Sequence, residues 1–101
     1  MGDENREQAV RAAIDGVRHP EINHTLTELG MIRDVRIEGE RVSLVMMLPF
    51  LEIPIKEMLV QGIVSAVKEN AEGMEVKVDF AVMNQEERER FLAMARSAWM
   101  L

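Results

Sequence analysis

The chain predicts an α+β fold of element order α-β-β-α-β-α: a three-stranded mixed sheet with helices packed on it. Three patterns carry that reading. In residues 54–70, Ile55, Met58, Leu59, Gly62, Ile63, Ala66 and Val67 recur at helical spacing, and Val60 and Val64 widen the stripe. From Met74 to Val82 the chain alternates, with Met74, Val76, Val78, Phe80 and Val82 on one face and Glu75, Lys77 and Asp79 on the other. Before both, two apolar runs flank Glu38-Gly39-Glu40, a short connection whose glycine accepts positive φ.

The elements follow in order. Asp3 to Arg18 reads as a helix, because Val10, Ala13, Ile14 and Val17 fall at i, i+3, i+4 and i+7. It must stop before Pro20, since the residue preceding a proline is driven out of the helical region. Thr25 to Leu29 reads as a single helical turn ended by Gly30. Met31–Glu38 and Arg41–Leu48 read as a hairpin. In its first strand Met31, Val35 and Ile37 share a face. The second strand is apolar on both faces, which predicts a central strand covered twice. Pro54 suits the first position of the next helix, where its missing N–H is no loss. That helix links the second and third strands, so the two should run parallel through a right-handed crossover. Asn84-Gln85-Glu86-Glu87 has the form of a capping box and opens a last helix over about residues 84–99.

Composition narrows the function. The chain has room for one small core, so residues 1–101 are expected to form a single domain. A net charge of -6, with basic residues scattered among acids, argues against a nucleic-acid surface. The lack of a Gly-x-x-Gly backbone clamp argues the same way. The longest apolar run, Leu44 to Leu51, falls well short of the ~20 residues of a membrane span. No targeting segment is visible in the polar first residues, and a cytoplasmic location is expected. With no cysteine there is no disulfide, no thiolate metal ligand and no thiol nucleophile. No Gly-x-Ser-x-Gly elbow occurs, tyrosine is absent, and no carboxylate pair stands out as acid and base, so no enzyme is expected.

His19, Glu21, His24 and Glu28 gather the residue types that ligate zinc or ferrous iron. Their spacing matches no established metalloenzyme pattern, and the reading taken is of solvated or capping residues rather than a metal site. Of the nine methionines, Met46, Met58 and Met74 fall on core-facing positions, which favours packing over metal binding. Phe91, Met94, Trp99, Met100 and Leu101 make an apolar chain end that packs across the sheet or forms a contact surface. Between the second strand and the following helix, Pro49, Phe50, Leu51, Glu52 and Ile53 form a short loop bounded by prolines. Such a loop is pre-organised for recognition, and these five residues are the expected partner-binding set.

The stretch H-P-E-I at residues 19–22, then T-E-L-G-M-I-R-D-V-R-I-E-G-E-R-V-S-L at 27–44, resembles the domain of unknown function 59 family. This is the metal–sulfur cluster biosynthesis domain of PaaD- and SufT-like proteins, found also at the N-terminus of Mrp-type ATPases. The resemblance spans about residues 7–82, and Pro20, Glu21, Leu29 and Gly30 sit on its pattern. His19 and Glu28 stand where the family usually has Asp. In the family a loop with threonines and then Cys-Pro follows the second strand. Here Pro54 matches that proline, Ile53 replaces the cysteine, and Met47 and Pro49 replace the threonines. Leu48-Pro49-Phe50 is closer to the Mrp-type loop, but the chain has no P-loop and is not the ATPase. A cysteine at a helix N-terminus would be held as thiolate by the helix dipole, whereas Ile53 neither ionises nor ligates soft metal.

The resemblance therefore implies an adaptor or accessory protein in iron–sulfur cluster assembly or metalloprotein maturation, acting by protein contact and with no cofactor of its own. Its implied partner is iron–sulfur assembly machinery or an Mrp-type ATPase, with no nucleic acid and no membrane, and a homodimer is left open. The alternative is a small metal-binding protein or metal-dependent enzyme built on His19, Glu21, His24 and Glu28.

Overall fold

A computed structural model describes residues 2–98, with side chains from residue 5 onward. Its elements are α1 (Gly2–Asp15), β1 (Ile32–Glu38), β2 (Arg41–Leu48), α2 (Lys56–Asn70), β3 (Glu75–Val82) and α3 (Gln85–Ser97). The sheet order is β1-β2-β3, with β1 antiparallel and β2 parallel to β3 as expected. Trp99, Met100 and Leu101 of the apolar chain end lie outside the described residues.

α1 ends three residues before the expected Arg18. The cause is a short backbone bridge: Arg18 pairs with Thr25, and the Leu26 N–H donates to the Val17 carbonyl. Thr25 then opens the expected helical turn. Its hydroxyl accepts from the Glu28 N–H, its own N–H donates to the Glu28 carboxylate, and Gly30 ends the turn at φ 75°.

In β1 the alternating pattern breaks. Ile32 lies opposite Met46 and Ile37 opposite Val42, so both face the core although five residues separate them. An extra residue between Arg33 and Arg36 makes this possible, with Asp34 at φ 54°, a region aspartate tolerates better than most residues. Gly39 turns the hairpin at φ 60°.

β2 is central, and Val42, Leu44, Met46 and Leu48 are at most 2% exposed. They meet Val10 and Ile14 of α1, and Leu59, Ile63 and Val67 of α2, in one buried cluster. The second face of β2 is not covered along its length. Met47 is buried, but Ser43 and Val45 are only half-buried, and an open groove of about 200 Å³ runs between Arg36, Glu38, Arg41, Ser43, Lys77 and Asp79.

Two more expectations fail for one reason: periodicity names a face, not how far its cover extends. Met58 is 58% exposed in the first turn of α2, and Phe80 and Val82 are each 42% exposed on the edge strand. Pro54 also lies ahead of α2, whose N-cap is Ile55 with no side-chain cap. α3, by contrast, starts as its sequence dictates. The Asn84 side chain accepts from the Glu87 N–H, and Glu87 accepts from the Asn84 N–H. Asn84→Ala is expected to lower stability by about 1 kcal/mol in urea denaturation, with the denaturant slope unchanged.

Candidate functional site

The Pro20 loop and the Pro49–Pro54 loop, far apart in sequence, come together against α3. Between them opens an apolar pocket of about 330 Å³. His19, Glu21 and Ile22 form one wall, Pro49, Phe50, Ile53, Pro54 and Ile55 a second, and Phe91, Leu92 and Ala95 of α3 a third, with Met31 also in the lining.

His19 is 5% exposed, and its Nδ1 accepts from the N–H of Glu21 at 3.0 Å and of Ile22 at 3.2 Å. Two donors on Nδ1 require the neutral ring with its proton on Nε2. Burial lowers the imidazole pKa, and Glu21 offsets part of that shift. His19 is thus a bracket for the turn. Its loop is closed further by His19 N–H to the His24 carbonyl, and is tied to the end of α3 by Asn23 N–H to the Ala98 carbonyl.

Two of the other three metal-type residues, His24 and Glu28, serve local structure too. His24 Nδ1 lies 3.5 Å from a Glu28 carboxylate oxygen. Glu28 is held below the usual carboxylate range by the Thr25 N–H and hydroxyl. Glu21 is exposed at the pocket wall. Among the described residues no group of three or more His, Asp or Glu is placed to hold a metal ion.

Of the expected partner-binding residues, Pro49 is buried and Ile53 half-buried, while Phe50 is 50% and Leu51 75% exposed, with Glu52 exposed between the two sets. Arg88 of α3 pins this loop. Its Nε donates to the Pro49 carbonyl at 2.6 Å, its Nη2 donates to the Met83 carbonyl at 2.9 Å, and its guanidinium lies over the Phe50 ring at 5.4 Å. The sequence offered no signal for Arg88, because its targets are backbone carbonyls, one of them 39 residues away.

The sequence also did not show that apolar exposure gathers at one end of the sheet. Phe50 and Leu51 follow β2, Met58 lies in the first turn of α2, and Phe80 and Val82 close β3, where Val82 pairs with Leu48. Such exposure of large apolar side chains is what a contact surface requires. It offers no thiolate, because the chain has no cysteine.

A family model described as iron–sulfur cluster assembly protein matches residues 7–80. An iron–sulfur cluster carrier protein of Synechocystis is 40% identical over 72 residues, covering 69% of this chain and 20% of the relative. The chain therefore spans about a fifth of that relative's length. Among solved structures, a domain of unknown function 59 from Bacillus anthracis superposes with a TM-score of 0.68 at 21% identity, covering 89% of this chain and 92% of that one. That likeness shows the fold.

Proposed function

This chain belongs to the iron–sulfur cluster assembly protein family, and on that premise we propose that it serves cluster assembly as a cytoplasmic, non-catalytic adaptor that works by protein contact. Two facts support the reading. The family and the name of the Synechocystis relative support a role in cluster assembly. The absence of cysteine leaves the chain no thiolate with which to hold a cluster, so contact is the role left to it. A cluster would then be the cargo of the partner, which is a carrier ATPase or another assembly protein.

The observation that carries the proposal is Leu51, three-quarters exposed on a loop whose base is clamped by Arg88. A large apolar side chain held out by a fixed loop loses little conformational entropy on docking, which makes it a suitable anchor. Phe50 is exposed beside it on the same loop, and the charged residues around the loop are of both signs, with Glu52 and Glu57 exposed and Arg88 over the Phe50 ring.

The test is binding of the purified full chain to purified iron–sulfur carrier and scaffold proteins, read by calorimetry. Leu51→Asp is expected to weaken binding at least about tenfold, as loss of an anchor residue does. Circular dichroism and thermal melting should be unchanged, because the side chain is exposed. Unchanged binding by a folded Leu51→Asp and Phe50→Asp pair would remove the loop from the interface.

A further inference from the structure

We infer that the outer edge of β3 is a self-association site, where a second copy of this chain pairs antiparallel about a two-fold axis at Val78. This site uses residues other than Phe50 and Leu51 of the loop contact proposed above. β3 pairs only with β2 among the described residues, and it does so over eight residues without a bulge or proline. Neither a bulge nor a proline turns an incoming strand away from this edge, and its charged residues, Glu75, Lys77 and Asp79, alternate in sign, so they repel a strand in some registers and pair with it in others.

The hydrogen-bond parity of β3 fixes which groups face outward. Glu75 N–H donates to the Glu40 carbonyl and Met83 N–H to the Leu48 carbonyl, so the odd-numbered residues point their backbone groups at β2. The N–H and C=O of Val76, Val78, Phe80 and Val82 therefore point away from β2, toward an incoming strand.

Charge then selects the register. Centred on Lys77 or on Asp79, an antiparallel pair would set like charges directly opposite each other, and centred on Val76 it would pair Lys77 with Glu75 but overlap only the first three residues of the strand. Centred on Val78, it sets Lys77 opposite Asp79 of the second copy, and symmetry repeats that pair. Both are non-hydrogen-bonded positions, where side chains approach most closely. On the helix-bearing face the same register places Phe80 against Val76 of the second copy, an aromatic–β-branched pair of the kind that stabilises sheets. It would also cover part of the exposure of Phe80, whose ring already carries Lys56 at 4.0 Å from its centroid.

Light scattering on the full chain after size exclusion tests the inference. The wild type should form a dimer that dissociates on dilution and on addition of salt. Lys77→Asp sets Asp against Asp79 of the second copy, and Asp79→Lys sets Lys against Lys77. Each alone should weaken the dimer by about tenfold or more. Both positions are exposed on the open face, so circular dichroism should report an intact fold. An equimolar mixture of the two variants should form a heterodimer, since every facing pair is then opposite in sign, and one chain carrying both changes should dimerise again. A wild type that stays monomeric at all concentrations overturns the inference, as do single variants that dimerise normally or a mixture that gives no heterodimer.

Discussion

Leu44→Ala is expected to lower the unfolding free energy by about 3–4 kcal/mol, the middle of the range for buried leucine truncations. Leu44 is 1% exposed in the middle of the central strand, within the cluster that α1 and α2 close over. Backbone pairing on both sides holds β2 in place, so the structure has little freedom to collapse into the space left behind. The neighbouring substitution Val45→Ala is the control. Val45 points to the open face and is only half-buried, so its loss should cost about 1 kcal/mol or less. Urea denaturation of both variants with equal denaturant slopes measures the contrast. Equal losses would mean that both faces of β2 are packed, which is how its apolar residues on both faces read.

That contrast marks where the sequence was legible. The alternation of β3, the stripe of α2 and the capping box of α3 each state their element in local terms, and each element formed. Family resemblance through Pro20, Glu21, Leu29 and Gly30 led to the same architecture. Depth of cover was not legible, because it depends on where a helix lies across the sheet. Met58, Phe80 and Val82 sit on the expected apolar faces but near their margins, and they stay exposed. The β1 bulge was hidden for a related reason: a strict period of two has no place for the extra residue at Asp34. At the candidate site, the loop was legible from its two prolines and its apolar residues. The pocket beside it was not, because it exists only where the Pro20 loop and α3 close against that loop.

His19 is a ligand-type side chain that the backbone engages. Its Nδ1 lone pair accepts from two backbone N–H groups, those of Glu21 and Ile22. An aspartate carboxylate in the same place, as is usual in the family, would serve the same two N–H groups. His19→Ala should therefore lower stability by about 2–4 kcal/mol, combining a cavity with two N–H groups deprived of their acceptor, that of Ile22 buried. His19→Asn should retain a substantial part of the stability, because its amide oxygen is again an acceptor near the backbone. The pH dependence separates this account from simple packing. The folded-state pKa of His19 lies below its ordinary 6.5, with burial as the main cause. Its contribution to stability is thus complete above pH 6.5. As the pH falls below that value, the unfolded chain takes up a proton that the folded chain still refuses, and stability declines until the pH has passed the folded pKa. Protonation also removes the Nδ1 lone pair on which the turn depends. Urea denaturation of the wild type from pH 8 to pH 5 should show this decline, and His19→Asn should show a shallower one over the same interval. Equal slopes for the two proteins would assign the acid sensitivity to groups other than His19.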